Sequence, residues 1–152
     1  MNYLNKLIKS ITLLSLLFIY SNVNASEIGL IVASDNIKIN KLSKNELENI
    51  FLGKTTILEN GTHVNIAYST QNSEKVNYFF KNYIEKSQRR FKKYWLKKVF
   101  AGYGIAPKIF KNNKLTIDYI KKHENVIAFI TVDDKDTLED VLIIAIDGEK
   151  SF

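Results

Sequence analysis

The sequence predicts an α/β fold built as one domain, and three observations carry the prediction. Short apolar runs of strand length alternate with longer segments in which apolar residues recur every three or four positions. Two of those runs, Val126–Val132 ("VIAFITV") and Val141–Ile146 ("VLIIAI"), are apolar without alternation, as in strands covered on both faces. The chain of 152 residues has a single proline and shows no internal repeat, linker or low-complexity segment. That length suits one domain with its own core.

The elements follow in order. Lys6 and Lys9 precede an apolar run, Ile11–Tyr20 ("ITLLSLLFIY"), and then "SNVNA", with Val23 and Ala25 at the small-residue positions of a cleavage site. This reads as a secretory signal peptide over residues 1–25, cleaved after Ala25 to give a periplasmic product. The run is short of the roughly 20 residues a membrane span needs. An uncleaved N-terminal anchor is the alternative. Cleavage removes two lysines and lowers the formal charge from +6 to +4. A modest positive balance suits anionic ligands or surfaces, and equally a Lys-rich and Asn-rich composition. Export argues against nucleic acid as a partner. The absence of cysteine excludes disulfides, thiolate chemistry and thiolate metal sites.

Gly29–Ala33 ("GLIVA") is a strand. Ser43 followed by Glu46 is a capping box. Leu47, Ile50 and Phe51 share a helical face, and Gly53 lies just past its end. Gly53-Lys54-Thr55 therefore is not a phosphate loop, although it spells the end of one. Such a loop follows a strand, opens a helix, and carries a first glycine where this chain has Glu48. Lys54 reads instead as a cation at the negative end of a helix dipole. Glu59-Asn60-Gly61 is a turn, and His63–Tyr68 alternates as a half-buried strand with Val64, Ile66 and Tyr68 on one face. Val76, Phe79, Phe80, Tyr83 and Ile84 mark a helix. Ser87 caps a second, Gln88–Phe100, with an inner stripe of Phe91, Tyr94, Trp95 and Val99. Gly102, Gly104 and Pro107 end it. Ile117–Lys122 is a short helix, and the two apolar runs above are the last strands.

Several of these segments, taken in order, resemble phosphate ABC transporter substrate-binding proteins. "LSKNELENIFLGK" (Leu42–Lys54) is similar to that family's "Ls-x-x-el-x-x-IFlGk". The turn "ENG", the strand "VNIAYS" and "NSEKVNYFF" follow as they do there. "YWLKKVFAGYGIAP" (Tyr94–Pro107) resembles "YW…iFtGxGxxP", and "NVIAFITV" stands where the family has "pgAIGYV". The likeness covers nearly all of residues 26–152 and is greatest to short, single-lobe members. It implies a single lobe of a type 2 periplasmic-binding-protein fold, a mixed sheet of about four to five strands flanked by helices. Longer members hold phosphate between two lobes, partly through a turn of the form "R-x-D-G-S-G-T". That turn aligns with Ser69–Lys75, where Ser69 replaces the arginine and Gln71 the aspartate. The bidentate oxyanion partner is thereby absent.

What remains is Ser69, Thr70, Gln71, Asn72 and Ser73 at a helix N-terminus, where free N–H groups and the dipole attract anions. Lys75 adds a positive charge, and Glu74 opposes it. The plainer reading is that Asn72 or Ser73 caps the helix. The basic helix, with Arg89, Arg90, Lys92, Lys93, Lys97 and Lys98 among aromatics, invites nucleic acid or an anionic membrane. A core stripe with a solvated lysine face accounts for it more simply. "DDKDTLED" lacks the spacing of a calcium loop. His63 and His123 have no neighbouring ligand pattern, and no serine sits in a nucleophile elbow. No catalysis, metal or cofactor is expected. The expected function is an exported substrate-binding-protein-like module that binds phosphate or another inorganic oxyanion weakly at Ser69–Ser73 and Lys75. The alternative is a ligand-free interaction module docking a membrane sensor, a transporter or a second copy of itself, the homodimer supplying the missing half of the cleft.

Overall fold

The computed structural model describes residues 27–132 and 138–152. The signal-peptide segment lies outside the described residues, as does most of the "DDKDTLED" turn. Central strand β5 (Val126–Val132) has seven residues, all buried. It pairs antiparallel with β1 (Ile28–Ala33), from Ile28↔Val132 to Ala33↔Ile127. On its other side it pairs parallel with β3 (Asn65–Ser69), from Asn65↔Val126 to Tyr68↔Phe129. β4 (Lys108–Phe110) runs parallel beside β3. β6 (Leu142–Ile146) lies antiparallel to β1, and β2 (Lys41–Leu42) is parallel to β6. The result is one mixed six-stranded sheet in the order β2-β6-β1-β5-β3-β4. The expectation of four to five strands fell short because β2 and β4 have only two and three residues. Neither is long enough to show a period.

Three helices cover one face: α1 (Lys44–Phe51), α2 (Ser73–Asn82) and α3 (Gln88–Phe100). Their inward residues Leu47, Ile50, Phe51, Val76, Phe79, Phe80, Phe91 and Trp95 form one cluster with Ile31, Tyr68 and Phe129. Phe79 lies flat on Phe129, with ring centroids 4.2 Å apart, and meets Phe51 edge-on at 5.1 Å. Such aromatic pairs add about 0.5–1.5 kcal/mol beyond area burial. The other face is covered by α4 (Asn113–Lys122), with Ile117 and Ile120 against Ala67, Ala128 and Ile130.

Three expectations need correction. β3 is not half-buried, because Ala67 and Ser69 on its second face are also enclosed. α4 starts at Asn113 rather than Ile117, because the Asn112 side chain accepts from the Leu115 N–H at 2.9 Å and caps a first turn that looks polar in sequence. Val99 does not join the inner stripe of α3; it is 42% exposed. The Ser43–Glu46 capping box forms as expected, with reciprocal bonds of 3.2 and 2.7 Å.

Candidate functional site

β3, β4 and β5 are parallel, so their carboxyl ends share one edge of the sheet. Ligands of open α/β sheets bind outside that edge. Here β3 ends at Ser69, and the chain turns through Thr70–Asn72 into α2, which begins at Ser73. The segment expected to meet an oxyanion thus leaves this edge of the sheet.

Its side chains are engaged within the fold. Ser69, fully buried, accepts the Gln71 N–H at its Oγ (3.2 Å). Thr70 donates both its N–H (2.9 Å) and its Oγ1–H (3.1 Å) to the Phe110 carbonyl at the end of β4. Gln71 Oε1 accepts from the Asn113 N–H, the first of α4, at 3.0 Å. Asn72 is the helix cap: its Oδ1 accepts from Lys75 N–H at 3.0 Å, and its Nδ2 donates to Glu27 Oε2 at 2.6 Å. Beneath them the buried Asn113 amide receives the Thr131 N–H at 3.3 Å and donates to the Thr131 carbonyl. β3 has already left the ladder at that level, so one side chain completes the rung that the strand no longer supplies.

Ser73 and Lys75 remain, Ser73 exposed and Lys75 partly so. The first N–H groups of α2 have no intrahelical partner. Against this positive end stand two carboxylates, Glu27 on the Asn72 amide and the exposed Glu74 in the first turn. Sequence reasoning singled out the segment but did not see its partners Glu27, Phe110, Asn113 and Thr131. The pair Asn112-Asn113 was the available signal, since asparagine favours caps.

The Gly102–Pro107 loop does not join this site. In the parallel register Ala67 faces Lys108 and Ser69 faces Phe110, so the loop arrives at the start of β4 while Ser69–Ser73 leave the end of β3. The two segments sit at opposite ends of the sheet. A broad groove of about 720 Å³ runs between β2, α1 and the Thr55–Glu59 segment. Lys38, Lys41, Glu46, Glu59 and Asp147 mix both signs along it, and no residue of Ser69–Lys75 lines it.

Gly53-Lys54-Thr55 lies at the C-terminus of α1, as expected, but Lys54 is not the cation that meets its carbonyls. Lys54 reaches Glu48 at 3.7 Å. The donors to those carbonyls come from α3: Trp95 Nε1 donates to Phe51 O (2.9 Å) and Tyr94 Oη to Leu52 O (2.8 Å). Lys98 Nζ donates to Gly53 O (2.7 Å) and Leu52 O (3.2 Å). Gly53 has φ +59°, and a Cβ there would lie 2.5 Å from Trp95 Cη2. The motif is a helix end seated under an indole, and its N–H groups are spent on α1: Gly53 donates to Ile50 O (2.8 Å), and Lys54 and Thr55 donate to Asn49 O (2.8 and 3.1 Å).

No protein-family model matches the chain, and no curated protein matches it. Solved structures do. One is a phosphate ABC transporter substrate-binding protein with bound phosphate from Clostridium perfringens (12% identity, TM-score 0.59, 81% of this chain and 46% of that one). A second is an ABC-type phosphate transport receptor from Vibrio cholerae (14%, 0.55, 80% and 46%). A third is PstS from Borrelia burgdorferi (14%, 0.60, 81% and 48%). The chain spans about half the length of each. At such identities the likeness is one of fold: over about four-fifths of its length, this chain has the architecture of one lobe of the type 2 periplasmic phosphate-binding proteins.

Proposed function

We propose that the chain is an exported, non-enzymatic, substrate-binding-protein-like module that works by docking to another protein. The partner is a transporter, a membrane sensor or a second copy of the chain. The observation that carries this is the state of the carboxyl edge. Ser69, Thr70, Gln71 and Asn72 hold the fold together, and Glu27 and Glu74 put negative charge where an oxyanion would sit.

A second reading, weak oxyanion binding at Ser69, Thr70, Gln71, Asn72, Ser73 and Lys75, is favoured by one feature. Two helix N-termini meet there, joined by the 3.0 Å bond from Asn113 N–H to Gln71 Oε1. Thermal unfolding of the chain from Ser26 in phosphate, sulfate and ionic-strength-matched chloride separates the two. Ligand at about 100 times its Kd stabilises by roughly 2.7 kcal/mol, a shift of about 2–8 °C for a domain of this size. The docking reading expects no shift beyond chloride at millimolar phosphate. A phosphate-specific shift that Ser73→Ala or Lys75→Ala abolishes would replace it with the oxyanion reading.

A further inference from the structure

At the opposite end of the sheet, α3 and the loop after it carry a second surface. Phe91 and Trp95 are buried, but Leu96, Val99 and Phe100 follow Arg89, Lys92 and Lys93 at spacings of three, four and seven along the outer side of the same helix. Phe100, Tyr103 and Ile105 are 84%, 73% and 79% exposed. They protrude from a turn whose Gly102 and Gly104 have φ of +76° and +142°. Beside them, an apolar groove of about 190 Å³ opens between α3 and Pro107–Ile109. Contiguous exposed apolar surface of this kind marks an interaction site.

Charge selects the occupant. From Gln88 to Lys108 the chain has seven Lys and Arg and no Asp or Glu. Among the described residues none of these seven is in an ion pair. A second copy would bring the same positive charges face to face. The complement is a negatively charged surface that also accepts protruding aromatic and aliphatic side chains. An anionic lipid bilayer is both, and being fluid it needs no relief matched to a convex tip. We infer that the Phe100–Ile105 tip and the basic outer face of α3 form a peripheral site for an anionic membrane. Phe100, Tyr103 and Ile105 enter the interface while Arg89, Lys92, Lys93 and Lys97 meet lipid phosphates. No described helix is long and apolar enough to cross a membrane, so the contact is a surface one. It involves the end of the sheet remote from Ser69–Lys75 and stands whichever way the phosphate experiment falls.

The chain has no cysteine, so Tyr103→Cys provides a single thiol for an environment-sensitive dye on the chain from Ser26. A Ser73→Cys label at the other edge is the control. Vesicles are phosphatidylcholine alone, or equal parts phosphatidylcholine and phosphatidylglycerol. The expected result is a blue shift of the Tyr103-site dye on anionic vesicles only. Raising the salt from roughly 0.05 to 0.5 M removes it by screening, Arg89→Glu with Lys93→Glu abolishes it, and the Ser73-site dye does not change. Circular dichroism verifies that each labelled variant is folded. No shift on anionic vesicles, an equal shift on phosphatidylcholine, or a shift that survives the charge reversals overturns the inference. So does a shift without lipid that grows with protein concentration, which assigns the surface to a second copy. A shift on soluble polyglutamate alone assigns it to an acidic protein and also overturns it.

Discussion

Replacing Gly53 by alanine tests the reading of Gly53-Lys54-Thr55 as a helix end. Two costs add. The backbone at φ +59° is left-handed, which costs a residue with a Cβ about 1–2 kcal/mol. The new Cβ would also lie 2.5 Å from Trp95 Cη2. Relief of that contact moves the indole and weakens its 2.9 Å bond to the Phe51 carbonyl, at about 0.5–1.5 kcal/mol. The sum is a loss of about 1.5–3.5 kcal/mol, or a fall in Tm of about 5–17 °C for a domain of this size. Denaturant unfolding followed by fluorescence reads both parts at once, because Trp95 is the sole tryptophan. Its native emission should shift to the red as the indole leaves its seat. A Gly53→Ala variant of unchanged stability and unchanged emission would refute the seat. If wild type also gained stability from ATP and the variant did not, the phosphate-loop reading would return.

Other consequences follow from single side chains. The Tyr68 hydroxyl is buried with no hydrogen-bond partner among the described residues, so Tyr68→Phe should stabilise by about 1–2 kcal/mol in denaturant unfolding; a loss of stability would mean that the hydroxyl is partnered. Burial pushes the Tyr68 phenol up to about 12. The folded state therefore holds its proton at pH values where the unfolded chain has released it. Stability present below pH 10 should fall by about 2–3 kcal/mol as pH rises from about 10 to 12, and the Tyr68→Phe variant should lose less over that window. Burial also raises Tyr83 and Tyr94, so only the difference between the two proteins counts. Asn72→Ala removes the cap on α2 and the bond to Glu27, at about 1 kcal/mol. Asn72→Ser should recover most of the cap but not the Glu27 bond; equal losses in both variants would show that the cap contributes little.

Most elements were legible because their signals are local. The Ser43–Glu46 box, the Ser87 cap and the unbroken run Val126–Val132 each need only neighbours in sequence. β2 and β4 were not legible, since a strand of two or three residues exists only through its partner in the sheet. The Ser69–Ser73 segment was found from pattern, but its chemistry was not. Whether Thr70 and Gln71 face a ligand or close on Phe110 and Asn113 depends on residues some forty positions away. Val99 was misplaced for a similar reason. Helical spacing puts it beside Trp95, but it stands at an open groove shared with Pro107 and Ile109, which no described residue fills.

The two longest segments that carry the resemblance, Leu42–Lys54 and Tyr94–Pro107, turn out to be one physical unit. The last carbonyls of α1 at Phe51, Leu52 and Gly53 are donor-starved, and Tyr94, Trp95 and Lys98 of α3 supply the donors. Lys98 also lies 5.2 Å from the Trp95 ring centroid, so one cation serves both partners. These residues fix how two helices cross the sheet. The turn where the resemblance would place a charged oxyanion partner lies elsewhere, at Ser69 and Gln71, which are neutral and bond to the fold itself. Likeness of fold and likeness of ligand chemistry therefore rest on separate residues in this chain. The first can be complete while the second is absent, which is why the phosphate experiment, and not the architecture, decides between a carrier and a docking module.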